Sequence, residues 1–452
     1  MAGSIAGAVA RIKRDPLGAL GRGAVGAVCE ELGHAWRDRT LDPATTVALF
    51  VQQVLHGNCP CSEVRHLAGG GPPFTPGAYC QARSRLPLSV YRSLLTRVVD
   101  AALPHASEAG HRWRGHRVFH VDGTTFSMPD TPQLQAAFGH PHGQAQGCSF
   151  PAAHLLVLFS ASTGLLLDAA AGPLYTGDVG VAAGMHPHLD EGDVLVGDDA
   201  FGTYAHIALL LRDKLHGLFP VHHSRIVDFT PRRPHCPEGK DAAAGMPRSR
   251  WIKSLGDHDQ LVEWFKPKTR PAWVGERAYA ELPESVTVRE LRRTVTGPAG
   301  NPVTLTVVTT LTRPRDYPPA ALLDLRKRRW DVETNIRHLK STMRLEVLRC
   351  KTEQGVRKEL VVFAIVYNLV RVAMLEAARR QDVPAARVSF ADAYRWLRHA
   401  RPGDVMPPLL VNPHRPGRAE PRAVKRRAKP HDLMNKPRDE LRKRLKIQAK
   451  TA

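Results

Sequence analysis

The chain has 452 residues, 43% of them hydrophobic, and carries a formal net charge of +21 with a pI near 10.1. That length allows two to four domains around a large core, and no run of eighteen apolar residues argues for a membrane span. The seven cysteines are scattered and odd in number, against a disulfide framework, while the positive surplus points to a polyanionic partner, nucleic acid first.

Residues 1–28 are Gly- and Ala-rich and interrupted by Arg11, Lys13, Arg14 and Asp15. They lack the apolar core of a secretory signal, so a flexible N-terminus and a cytoplasmic location are expected. From 29 to 110 the pattern is helical. ATTVALFVQQVLHG has apolar residues at helical spacing and stops at Gly57, and Pro87 opens a later helical run. Arg83, Arg85, Arg92 and Arg97 give this helical domain a DNA-contacting character, with a packing or oligomerisation bundle as the alternative. Cys59-Pro60-Cys61 has no second pair at zinc-site spacing, so a zinc-stabilised regulator is a remote alternative.

Residues 111–216 read as the first part of an α/β core. RVFHVDGTTFSM alternates and is expected to break into a turn at Asp122-Gly123. FPAAHLLVLFSASTGLLLDAAAGPL gives two strands around Ser162-Thr163-Gly164. GDVLVGDDAFGTY gives a buried strand closed by Asp198 and Asp199, then a helix from about Thr203 to Leu215. Residues 217–316 form a β-rich insertion set on that core. Residues 317–400 complete the core, with a largely buried helix over 359–380, and 401–452 are a basic, mostly disordered tail suited to phosphate contact.

The stretch from Leu325 to Met343 is expected to be one helix. Arg326, Arg329, Glu333, Arg337 and Lys340 share a face, beside an apolar stripe of Leu325, Val332, Ile336, Leu339 and Met343. One carboxylate among four cations suits a residue that holds a metal while its neighbours hold phosphates. Asp122 and Asp198 add two more carboxylates at or near strand ends. Each alone is as readily a turn residue or a helix cap, yet strands pointing one way with a helix across them can bring all three together. Carboxylate oxygens suit Mg²⁺, and a pair of such ions supports phosphodiester cleavage.

Those blocks resemble the DDE transposases of bacterial insertion sequences, of the IS-four family. VDGTTFSMPDT resembles the segment around that family's first catalytic Asp, here Asp122. GDVLVGDDAFGTY resembles the block of the second, whose usual form is Asp-Arg-Gly-aromatic. Aligning Phe201 selects Asp198 and leaves Asp199 as the rival. Arg329, Glu333 and Lys340 fit the signature Tyr-x2-Arg-x3-Glu-x6-Lys, Trp330 fits its frequent Arg-Trp pair, and Arg326 stands where the tyrosine is usual.

The resemblance covers about residues 115–375. It implies an RNase H-like mixed-sheet core with a β-strand insertion, and Asp122, Asp198 and Glu333 as metal ligands for Mg²⁺, for which Mn²⁺ can substitute. It further implies DNA contacts from Arg329 and Lys340, and a homodimer acting on terminal inverted repeats and target DNA by cut-and-paste transposition. Arg326 and Arg337 are further candidates for phosphate contact. A nuclease of the same fold without strand transfer, and a transposase-derived DNA-binding protein without catalysis, are the alternatives.

Overall fold

The computed structural model describes residues 20–67, 73–102, 112–142, 147–236, 246–296, 302–400, 404–413 and 436–451. Five helices come first: α1 (Arg22–Glu31), α2 (Pro43–Leu55), α3 (Cys61–Leu67), α4 (Pro76–Arg85) and α5 (Leu88–Ala102). The start of α2 follows from its chemistry. The Asp42 side chain accepts the Thr45 N–H at 2.7 Å, and Pro43 occupies the first turn, where its missing N–H is harmless. Helix α1 begins inside the stretch expected to be flexible. Its apolar face is only Val25, Val28 and Cys29, too sparse among Gly23 and Gly26 to read as periodic, but all three are buried.

The core follows with β1 (Val118–Ser127), α6 (Pro132–Phe138), β2 (Ala152–Ser160), β3 (Leu166–Pro173), α7 (Asp178–Ala183), β4 (Val194–Val196), α8 (Tyr204–Arg212) and β5 (His216–Pro220). Next come β6 (Arg250–Gly256), β7 (Asp259–Phe265), α9 (Glu276–Ala280), β8 (Ser285–Thr296) and β9 (Pro302–Thr309). The chain closes with α10 (Pro319–Lys327), α11 (Trp330–Arg337), α12 (Glu353–Gln381), α13 (Phe390–His399) and α14 (Arg438–Thr451). Of the tail, 401–403, 414–435 and 452 lie outside the described residues. The part from Arg438 is helical rather than disordered, pinned where the Arg438 guanidinium donates to Asp130 at 2.7 Å and stacks on Phe150.

All nine strands join one sheet in the order β3-β2-β1-β4-β5-β9-β8-β7-β6. Strands β3, β2 and β1 are antiparallel neighbours, and β1, β4 and β5 are parallel. That is the RNase H-like arrangement. The inserted strands extend the same sheet instead of sitting on it, because β9 pairs antiparallel with β5 through Leu218↔Thr309 and Phe219↔Val308.

The register sorts residues onto two faces. Phe119, Val121, Leu195 and Phe219 join the main core with α12, whereas Val118, Val194, Val196 and Leu218 pack against Leu322 and Leu325 of α10. Helix α12 is long and apolar enough to cross a membrane by length and composition, and 94% of its apolar window is buried within the fold. It also anchors the N-terminal helices. Buried Glu359 accepts Asn58 Nδ2–H at 2.6 Å and the Cys350 N–H at 2.9 Å, and Tyr394 of α13 donates to the Leu55 carbonyl at 2.7 Å.

Candidate active site

Strand β1 does not turn at Asp122-Gly123; it runs straight through to Ser127 against β2. Glycine is needed here for space rather than for a turn. A Cβ on Gly123 would lie 2.7 Å from His154 Nε2 and 2.8 Å from Asp178 Oδ2, two side chains that meet at 3.0 Å, His154 Nε2 to Asp178 Oδ1, across that face. The opposite face carries His120, Asp122 and Thr124.

Register explains how Asp198 arrives beside Asp122. In the parallel β1–β4 pair, His120 faces Val196. Asp122 and Asp198 each lie two residues further along, still in extended backbone, so they fall side by side on the same face of adjacent strands. Asp198 is also a cap: its Oδ1 accepts the Ala200 N–H at 3.0 Å and closes the 3-10 turn Asp199–Phe201, leaving Oδ2 for other work.

The third carboxylate comes from the helices laid over this face. The expected single helix is divided: α10 ends at Lys327, α11 starts at Trp330, and a π-helical turn covers His338–Thr342. The joint tightens because the N–H groups of Arg329, Asp331 and Val332 bond three residues back instead of four. The apolar stripe is nonetheless buried as expected, with Leu325, Val332, Ile336, Leu339 and Met343 all at most 9% exposed. Glu333 therefore faces Asp122 from the same side of the sheet. The Arg329 guanidinium spans them, donating to Asp122 Oδ2 at 3.0 Å and to Glu333 Oε1 at 2.9 Å.

The electrostatics agree with the geometry. Burial pushes the Asp122 pKa above the usual carboxylate range; Arg329 pulls it down, and the nearby charges of Asp198 and Glu333 push it up. Asp198 is raised as well, first by burial and then by Asp199 and Asp178. Two aspartates whose ionisation is opposed by burial, with Glu333 facing them, form a site that attracts cations, and the hard oxygen donors suit Mg²⁺ or Mn²⁺, although the three carboxylates do not all stand within 4.8 Å of one another. The guanidinium now bridging Asp122 and Glu333 is the stand-in for that charge.

The other expected cations are distributed unevenly. Arg326 faces the carboxylates; burial and the neighbouring Arg329 lower its pKa to about 10, partly offset by Asp198, Asp122 and Glu333. The π turn carries Lys340, whose ammonium donates to Thr124 Oγ1 on β1 at 3.1 Å. Such turns recur at functional sites. Arg337 is exposed and makes no hydrogen bond or ion pair among the described residues. The side chain of Trp330 lies outside the described set. Asp199 turns toward His222 and His223.

Two features were not visible in the residue pattern. The His154–Asp178 pair beneath Gly123 joins residues 24 positions apart with no periodic signal. His120, two residues before Asp122, is buried with its pKa lowered to about 3 by burial and by Arg328, Arg329 and Arg326, and its Nε2 has no hydrogen-bond partner among the described residues. Alternation along β1 placed it on the Asp122 face; nothing in the sequence said the cations above would keep it neutral.

The model of the transposase DDE domain family matches residues 113–369, more than half of the chain. The transposase InsG for insertion sequence element IS4 of Escherichia coli (strain K12) is 27% identical over 383 residues, covering 80% of this chain and 79% of that protein. The piggyBac transposase, solved by cryo-EM as a synaptic complex with hairpin DNA, aligns over 85% of this chain and 79% of its own. Its TM-score is 0.42 at 9% identity, too low to bear on the site. The family match falls on the segment that carries Asp122, Asp198 and Glu333: the chain belongs to the DDE transposases, which use divalent metal ions to cleave and join DNA strands.

Proposed function

We propose that this chain cuts DNA at the ends of an insertion sequence and joins the freed 3′ ends to target DNA by a cut-and-paste route, with Mg²⁺ as the working cation and Mn²⁺ as a substitute. The observation that carries the reading is the convergence of Asp122, Asp198 and Glu333 on one face, through the β1–β4 register and the Arg329 bridge. These three would hold the cations. Bound there, a metal pair would activate the attacking water or 3′-hydroxyl and stabilise the departing oxygen.

The chain's own part is positioning and charge. Arg329 pairs with Asp122 and Glu333 while the carboxylates lack their cations, then turns its planar fork to the phosphate beside the scissile bond. Lys340, held over β1 by Thr124, contacts the next phosphate. Arg326 stays protonated at neutral pH and adds positive charge where the family usually has tyrosine. Arg337 extends the basic track outward.

The helical N-terminal region (29–110) and the basic tail supply further backbone contacts to terminal inverted repeats and target DNA, and two copies act together on paired ends. Domain limits at 111–216, 217–316 and 317–400 accord with this division of labour. The test uses DNA carrying the element's own ends. Wild type with Mg²⁺ nicks at the ends and transfers a pre-cleaved 3′-hydroxyl end into plasmid, while Asp122→Ala, Asp198→Ala and Glu333→Ala bind ends but do neither. Cleavage without transfer would make the chain a nuclease. End binding with no cleavage by wild type would make it a DNA-binding derivative.

A further inference from the structure

Asp199 belongs to a different set of neighbours from Asp198. Its carboxylate and the rings of His222 and His223 each present a ligand atom, and these atoms lie within 4.8 Å of one another. Among the described residues no other group of three or more His, Cys, Asp or Glu side chains is so disposed. The convergence follows from topology. Strands β4 and β5 are parallel neighbours paired at Val196↔Leu218, so the chain leaves both at the same edge of the sheet, toward Asp199 on one and His222 on the other.

Each side has its own support. Asp199 opens the 3-10 turn capped by Asp198. Val221 N–H bonds to the Thr306 carbonyl at 2.9 Å, which fixes the start of the histidine segment against β9. The two imidazole centroids lie 4.1 Å apart, with the ring planes tilted by 36°. The Ser224 hydroxyl lies 2.7 Å from His222 Nδ1, and the Ser224 N–H donates to the same nitrogen at 3.3 Å. A hydroxyl accepts as well as donates. Because the Ser224 N–H donates to Nδ1, that nitrogen is an acceptor here and the ring proton sits on Nε2; binding a metal through Nε2 would move the proton to Nδ1, where Ser224 Oγ can accept it.

We infer that Asp199, His222 and His223 form a second metal site, at the mouth of the active site, for a borderline transition-metal dication such as Zn²⁺ or Co²⁺. The donor set decides the class. Two imidazole nitrogens and one carboxylate oxygen suit these ions, whereas Mg²⁺ prefers the all-oxygen set of Asp122, Asp198 and Glu333. Metal–ligand distances of about 2.0–2.2 Å require the three donors to draw closer than they now stand, a movement within the rotamer freedom of surface side chains. The site does not depend on the chemistry proposed for the three carboxylates.

Co²⁺ is the probe, because its visible absorption reports nitrogen and oxygen coordination directly. Untagged full-length protein is titrated with Co²⁺ in the presence of about 10 mM Mg²⁺, which occupies hard oxygen sites. Wild type takes up one Co²⁺ more than His222→Ala/His223→Ala does, and Zn²⁺ displaces it. Asp199→Asn weakens that Co²⁺ by about 10-fold or more. Asp122→Asn/Glu333→Gln keeps it unchanged. Thermal midpoints measured beside the titrations show that the variants fold. An unaltered Co²⁺ band in the double histidine variant overturns the inference. So does loss of the band in Asp122→Asn/Glu333→Gln, or its displacement by Mg²⁺, since either would place the cobalt at the carboxylate centre.

Discussion

Asp198 does two jobs that substitution separates. Its Oδ1 caps the turn at Ala200, and its charge stands in a site already crowded by Asp199 and Asp178. Asparagine keeps the cap acceptor and removes the charge; alanine removes both. Loss of a side-chain cap costs about 1 kcal/mol. The charge acts in the opposite sense. With the folded pKa raised, the folded protein binds its proton more tightly than the unfolded chain does. Stability is therefore fully present below the unfolded pKa and declines as pH rises through the folded one.

At neutral pH without metal, then, Asp198→Asn is at least as stable as wild type and Asp198→Ala is less stable than Asp198→Asn by about 1 kcal/mol. Divalent cation reverses the order. For a dissociation constant of about 1 mM, roughly 10 mM Mg²⁺ stabilises wild type by about 1.4 kcal/mol, and neither variant gains it. Thermal unfolding with and without Mg²⁺ reads both effects, about 1 °C for the cap and about 1.5 °C for the cation in a chain of this size. A Mg²⁺ gain retained in Asp198→Asn would refute the reasoning and pass the second ligand's place to Asp199.

Lys340→Ala loses the bond to Thr124 and a phosphate contact together, so DNA-end affinity falls for every sequence and the salt slope shrinks by about 1. Arg337→Ala, at an exposed position whose side chain has no partner among the described residues, changes affinity less than Lys340→Ala does; equal losses in a filter-binding titration would contradict the assignment. Gly123→Ala forces a methyl group against His154 and Asp178, destabilises the protein by about 1–3 kcal/mol and lowers cleavage by displacing the strand that carries Asp122. Adding His154→Ala restores part of both, and failure of that rescue in denaturant titrations would locate the clash elsewhere. Because burial raises both aspartates, Mg²⁺ affinity falls on acidification at a higher pH than ordinary carboxylates would give. A calorimetric titration across pH checks this, and an unshifted profile would remove the crowding.

Much of this was legible in the residues because it depends on local pattern. Alternation gave β1, an apolar run closed by Ser162-Thr163-Gly164 gave β2, the apolar stripe from Val332 to Met343 gave a buried helical face, and three acidic blocks in order gave the family. What failed to show depends on contacts far apart in the chain. The expected turn at Asp122-Gly123 rested on the usual behaviour of an Asp-Gly pair. The strand continues because pairing with β2 satisfies its backbone and His154 with Asp178 fills the space a side chain would take. The break between α10 and α11 and the π turn at His338–Thr342 leave no mark on a 3.6-residue projection, yet they set where Arg329 and Lys340 reach. Of the inserted strands β7, β8 and β9 read as strands and β6 did not, and only the β5–β9 register reveals that they lengthen the core sheet.

The most direct measurement is the anomalous scattering of Mn²⁺ in crystals of the protein with its DNA ends. The account predicts manganese enclosed by the carboxylates of Asp122, Asp198 and Glu333, with Arg329 withdrawn from Asp122. Manganese absent from those three carboxylates, with Arg329 still bridging Asp122 and Glu333, would contradict it.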